Sequence, residues 1–237
     1  MHLKEPSKLL EVWRYALGEG ASIILMRHGP KAGSDQSGLS EAGQKLTQEY
    51  GGVLRNLGGV FDKMLLAATS KDRTIETLKL MFPESDPGQY LKPPELDTIR
   101  VTPEAQRSCD DLHARLGHWR GYTVSQTFYY LQKYTGSDDT GLHGEVKKRI
   151  VDGIRKLLAY QQPVIYCGHS PQTEAAVAEL TGLDLAELGW FLDPLSSIHL
   201  RMRGGTIEFI ARVNPIIGYI DLEAEAYYQK QPAANLG

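Results

Sequence analysis

The sequence predicts an α/β protein with a mostly parallel central sheet covered by helices on both faces. Two observations predict it. Short, nearly continuous apolar runs recur along the chain, at Ser22–Met26 (SIILM), Met64–Ala68 (MLLAA) and Pro163–Cys167 (PVIYC). Runs of this kind suit strands buried on both faces. Each run is followed by a turn and then by a stretch with helical spacing, and strands alternating with helices imply right-handed crossovers and a parallel sheet.

Taken in order, Leu9, Leu10, Trp13 and Leu17 repeat at helical spacing, predicting an amphipathic helix over about residues 3–17 that Gly18 and Gly20 stop. The SIILM strand follows. Ser40 then opens a second helix as its N-cap, with Glu41 in the first turn and Gln44 close to the capping-box position. Leu46, Tyr50, Val53, Leu54 and Leu57 form its buried stripe, and Gly58 and Gly59 end it. The MLLAA strand leads through Thr69-Ser70-Lys71-Asp72-Arg73 into a helix reaching about Met81. The third unit runs from PVIYC through Gly168-His169-Ser170-Pro171 to a helix over Gln172–Leu180, with Pro171 at a favoured first-turn position. Ile198–Met202 and Thr206–Ile210 flank Gly204-Gly205 and predict a hairpin.

Between Pro83 and Gly144 the pattern loosens into helical pieces broken by prolines, Gly136 and Asp138-Asp139. The expectation is one domain over 1–237, in which 83–144 is a helical insertion forming a lid or side wall and 230–237 a flexible tail.

Composition excludes several classes. A chain of 237 residues, 41% hydrophobic and 23% charged, is that of an ordinary globular protein. A net charge of -3 argues against nucleic acid or an anionic membrane as partner. Cys109 and Cys167 lie far apart and form no C-x-x-C pair, so neither a zinc cage nor a disulfide framework is expected. The first twenty residues carry Lys4, Glu5, Glu11, Arg14 and Glu19 and lack a signal peptide's apolar core. No membrane span is expected either, and the expected compartment is cytoplasmic.

Candidate chemistry gathers where the predicted strands end, the edge at which open α/β sheets bind ligands. The first strand delivers Arg27-His28-Gly29, the second Thr69-Ser70 and then Arg73-Thr74, the third Gly168-His169-Ser170. Guanidinium pairs bidentately with phosphate or carboxylate oxygens. Helix N-termini add N–H groups and partial positive charge. Histidines supply donors, general acids or nucleophiles near neutral pH. Such a pocket suits a dianion, most simply a phosphoryl group. No carboxylate cluster at metal-ligand spacing accompanies it, so a histidine nitrogen is the natural nucleophile.

Four ordered segments carry a resemblance: LMRHGPK (Leu25–Lys31), GLSEAG (Gly38–Gly43), ATSKDRTIETL (Ala68–Leu78) and CGHSPQTEA (Cys167–Ala175). Together they resemble the histidine phosphatase superfamily, in its phosphoglycerate mutase-like branch. The resemblance implies a three-layer α/β/α fold with no metal or organic cofactor. It implies His28 as the phosphorylated nucleophile and Arg27, Arg73 and His169 as the phosphate pocket. Lys31 either reaches a second anionic group of the substrate or points into solvent, and Ser170 offers a backbone N–H or a helix cap.

Many relatives place a proton-donating Glu four residues before a Gly-x-Trp-Glu-Gly segment. Gly117-His118-Trp119-Arg120-Gly121 is similar, but Arg120 replaces the Glu, and counting back four reaches His113. An alkoxide leaving group needs an acid. His113 is the first candidate, Asp111 the second, with Asp110 beside it. Trp119, Tyr122, Phe128, Tyr129 and Tyr130 are core-forming aromatics or a wall on the leaving-group side.

The expected activity is therefore hydrolysis of a phosphomonoester, or of a phosphohistidine on a protein. Mutases of the family carry a longer stretch after Arg-His-Gly, with a Ser and a Trp-Asn pair, where this chain has Pro30-Lys31-Ala32-Gly33. This ranks phosphatase above mutase. A serine hydrolase built on Ser170, Asp193 and His199 lacks the second glycine of G-x-S-x-G, because Gln172 stands there. A phosphate-binding module that has lost its acid is the remaining alternative. His118, His143 and His199 are expected to be structural or solvated.

Overall fold

The structure is a computed structural model that describes residues 6–17, 21–32, 38–58, 64–97, 149–183, 192–216 and 219–221. Its elements are α1 (Pro6–Leu17), β1 (Ser22–Arg27), α2 (Glu41–Leu54), β2 (Leu65–Ala68), α3 (Asp72–Met81), α4 (Val151–Leu158), β3 (Val164–Gly168), α5 (Gln172–Thr181), β4 (Ser197–Arg203), β5 (Thr206–Asn214) and β6 (Tyr219–Asp221). Two short 3-10 turns, Pro87–Gln89 and Pro94–Leu96, follow α3.

The strands form one mixed sheet in the order β2-β3-β1-β4-β5-β6. β2, β3 and β1 run parallel, and β4 then pairs antiparallel with β1. The hairpin predicted around Gly204-Gly205 is β4–β5, with φ of 58° and 84° at the two glycines, as a two-residue type I′ turn requires.

Alternation along β1 explains why its sequence is apolar throughout. Ile23 and Leu25 pack with Ile154, Leu157 and Ala175 of α4 and α5. Ile24 and Met26 pack on the other face with Trp13, Tyr50 and Met81 of α1, α2 and α3. A period-2 strand inside a helix-covered sheet has no solvent face to fill with polar residues. This gives the three layers, α/β/α. Among the described residues, no helix is long and apolar enough to cross a membrane.

Two local expectations shift. Ser40 does cap α2, accepting from Gly43 N–H at 3.0 Å, but the capping box does not close. Gln44 instead donates to Glu76 Oε1 at 2.8 Å, because α3 lies alongside α2 and offers a carboxylate. Pro171 stands at the N-cap of α5, one position before the first helical residue, after a cis Ser170–Pro171 peptide. α4, by contrast, is an element the spacing analysis does not single out, although Val151, Ile154, Leu157 and Leu158 give it a buried stripe. Of the expected insertion, residues 98–144 lie outside the described residues, as does the tail 230–237.

Candidate active site

The parallel pairing brings three distant segments to one edge. Arg27 is in register with Gly168, and Met26 and Ala68 both lie opposite Cys167. The residues that follow, His28, Thr69 and His169, therefore emerge together at the C-terminal ends of β1, β2 and β3. His28 N–H donates to Gly168 O at 3.2 Å, and the two imidazole centroids are 5.2 Å apart.

The turn after β1 is fixed by close packing. Gly29 N–H donates to Thr77 Oγ1 at 3.0 Å, and a Cβ on Gly29 would lie 2.7 Å from Thr47 Oγ1. Ser40 N–H donates to Pro30 O at 2.9 Å, and a Cβ on Gly43 would come within 2.2 Å of that same oxygen. The glycines of the RHG and GLSEAG motifs thus let α2 press against the loop that aims His28.

His28 is 5% exposed. Its Nδ1 lies 2.7 Å from Gly29 O, which only accepts, so Nδ1 carries the proton and Nε2 the lone pair. Arg73 Nε–H donates to that lone pair at 3.1 Å. Burial lowers the His28 pKa to about 3, and Arg73, Arg27 and Lys31 push the same way against the Gly29 hydrogen bond. The imidazole is accordingly neutral at physiological pH, and its Nε2 is nucleophilic without prior deprotonation.

Arg73 also reaches His169, with Nη2 3.4 Å from Nδ1. One guanidinium therefore bridges both histidines, as its planar fork permits. Burial, then the charges of His28, Arg73, Arg27 and Lys71, hold the His169 pKa well below its ordinary value. Arg27 donates from Nη1 to Leu192 O at 2.6 Å, while its buried Nε has no partner among the described residues. Burial lowers the Arg27 pKa, and Glu174 and Asp193 favour its charged form.

The expectations for Arg27, His28, Arg73 and His169 converge on this one cluster. Lys31 is exposed, close enough for its charge to act on His28. Ser170 directs its side chain to Glu174. Asp193 accepts from Asn214 at 2.9 Å and His199 Nε2 meets Ser197 Oγ at 2.9 Å, so no Ser170–Asp193–His199 triad exists. The acid candidates His113, Asp111 and Asp110, with Arg120 and the aromatics around Trp119, lie outside the described residues. Among the described residues, no three His, Cys, Asp or Glu side chains group as a metal site.

Sequence reasoning passed over Glu174 and Thr77, and placed Thr69 and Thr74 at the strand end without giving them a role. Glu174 is fully buried and accepts from Leu192 N–H at 2.5 Å. Burial raises its pKa against the hydrogen bonds of Leu192 and Ser170 and the charge of Arg27. It thereby ties the Leu192 peptide to the strand-end cluster. The signal was present: an acidic residue in the first turn of a helix that directly follows His169. Thr69, Thr74 and Thr77 likewise sit inside a quoted motif.

No protein-family model matches the chain. No curated protein matches it in sequence. Solved structures do match. A phosphoserine phosphatase from Entamoeba histolytica, solved with 3-phosphoglyceric acid, superposes with a TM-score of 0.57 at 14% identity, covering 81% of this chain and 96% of that one. A phosphoglycerate mutase from Bacillus anthracis gives 0.56 at 14%, covering 92% and 100%. The alpha-ribazole phosphatase from Shigella flexneri gives 0.54 at 15%, covering 84% and 98%. The chain thus shares the fold of these phosphatases and of this mutase.

Proposed function

We propose that the protein is a metal-independent phosphatase that hydrolyses a phosphomonoester, or a phosphohistidine, through a phosphohistidine on His28. The observation that carries this reading is the neutral His28 whose Nε2 lone pair faces the Arg73 guanidinium, with His169 on the other side of that cation. The fold's service to both phosphatases and mutases in other proteins supports phosphoryl chemistry.

In the first step Nε2 attacks phosphorus in line while the P–O bond to the leaving group breaks. Arg73 exchanges its hydrogen bond to Nε2 for the phosphoryl oxygens, and Arg27 offers its unpartnered Nε–H. Fixed cations in a buried site stabilise the developing charge far better than water does. The Gly29 carbonyl holds the Nδ1 proton and favours the imidazolium character that grows at His28. The leaving alkoxide takes a proton from His113 or Asp111; water then attacks phosphorus, the N–P bond breaks to release phosphate and the neutral imidazole, and the deprotonated acid regains its proton from that water. The substrate is a phosphorylated small molecule or phosphoprotein, and Lys31, exposed and close enough to act on His28, favours one with a second negative group. Phosphatase outranks mutase because Pro30-Lys31-Ala32-Gly33 replaces the longer mutase stretch.

Turnover of p-nitrophenyl phosphate in the presence of a chelator tests this. The expected outcome is chelator-resistant hydrolysis that falls by at least about a thousandfold in His28→Ala, with an acid-labile phosphoenzyme trapped only in wild type. Equal turnover in His28→Ala would sink the reading.

A further inference from the structure

We propose that Thr69 is a positioning residue that locks His169 in its Nε2–H tautomer, leaving the Nδ1 lone pair aimed at Arg73 and the phosphate pocket. The inference rests on the pocket assignment above but on different atoms.

Hydrogen-bond capacity around Thr69 decides the tautomer. Thr69 Oγ1 lies 3.0 Å from His169 Nε2, 2.9 Å from Thr74 Oγ1 and 3.3 Å from Lys71 N. A hydroxyl has one proton to give and two lone pairs to fill. Lys71 N–H can only donate, so it takes one lone pair. Thr74 Oγ1 spends its own proton on the carbonyl oxygens of Lys71, at 2.7 Å, and Thr69, at 3.2 Å. Towards Thr69, Thr74 can therefore only accept, and it takes the Thr69 proton. What Thr69 has left for His169 is a lone pair, so His169 Nε2 must carry hydrogen.

The other side of the ring gives the same answer independently. Arg73 is an obligate donor, and its Nη2 faces Nδ1. Nδ1 must present a lone pair to it. The two histidines are consequently locked in opposite tautomers, His28 as Nδ1–H and His169 as Nε2–H, with both lone pairs turned to one guanidinium.

The arrangement has a functional consequence. When a phosphoryl dianion enters and Arg73 turns to it, Nδ1 of His169 is free to take up a proton and donate to a phosphoryl oxygen. Nε2–H stays with Thr69 throughout, so the ring keeps its orientation in both protonation states. The hydroxyl acts on His169 as the carboxylate of a catalytic triad acts on its histidine, by holding tautomer and direction.

The test combines ring-nitrogen spectra with kinetics. In protein labelled with 15N-histidine, wild type is expected to show His169 protonated at Nε2 in the absence of phosphate. Thr69→Val, which removes the acceptor at nearly constant volume, is expected to weaken that preference, since Arg73 alone then supports it. It should also lower kcat on p-nitrophenyl phosphate by at least about tenfold, with a smaller change in KM. Thr69→Ser restores the acceptor and is expected to recover both. A wild-type His169 protonated at Nδ1, or a folded Thr69→Val with unchanged tautomer and kcat, would overturn the proposal. The wild-type spectrum needs neither turnover nor a folded variant. Absence of hydrolysis in wild type would therefore remove the phosphatase reading while the tautomer still decides the role of Thr69.

Discussion

Two buried histidine clusters sit a few residues apart in this sheet. At the ends of β1 and β3, His28 and His169 face each other across Arg73. In mid-sheet, His199 of β4 lies opposite Ile24 of β1, its Nε2 on Ser197 and its ring edge-on to Trp13 at 5.3 Å. Trp13 in turn donates to the Tyr50 hydroxyl at 3.0 Å. Burial lowers the pKa of His28 and of His199 alike, to about 3. A shifted pKa therefore does not separate the two. What separates them is charge and position: the first cluster has two guanidiniums and lies at a strand edge, whereas the second has neutral walls and is completely buried. Desolvation alone makes a histidine inert, and desolvation beside convergent cations makes a candidate anion site.

The comparison breaks most visibly at Arg73. Arg73→Lys is expected to lower kcat/KM on an aryl phosphate by about a hundredfold, since one ammonium cannot serve both histidines and the phosphoryl oxygens in a plane. Retained turnover would mean that the guanidinium does not organise the site. His199→Ala is expected to do the reverse. It should cost about 2 kcal/mol or more of stability through the cavity beside Trp13, visible in denaturant melts, with kcat changed less than about threefold.

Acid should affect His28 and His199 equally. The folded pKa values of His28 and His199 lie below the unfolded value near 6.5. The folded chain thus holds fewer protons, and stability present above pH 6.5 is lost as pH falls towards 3. Each group accounts for about 2 kcal/mol between pH 7 and pH 5. His28→Asn and His199→Asn should each flatten the pH dependence of the unfolding free energy by that amount, although only the first abolishes activity. The smallest effect is expected at Ser40. Ser40→Ala removes the α2 cap and should cost about 1 kcal/mol in the same melts.

The catalytic candidates were readable because each sits at a local boundary. Arg27-His28-Gly29 ends an apolar run, Arg73 begins a helix, and His169 occupies a strand-to-helix turn. Such boundaries are written in short-range propensity and periodicity. Gln44 was misplaced for the complementary reason: the capping box is local, but the carboxylate of Glu76 that captured Gln44 belongs to another helix. Glu174 escaped notice, and Thr69 was named without a role, because a buried polar side chain takes its meaning from partners far along the chain, Leu192 for one and His169 for the other.

By itself, then, the sequence determined most of the strands and helices, though not α4 or β6, the faces they bury, and which four side chains meet at the sheet's edge. Tertiary structure alone decided that β3 lies between β2 and β1, that β4 extends the sheet antiparallel, and which nitrogen of each histidine bears its proton. The physical reason is range. Propensity and burial patterns act over a few residues, whereas strand order and hydrogen-bond direction arise only when donors and acceptors from distant segments compete for the same atoms.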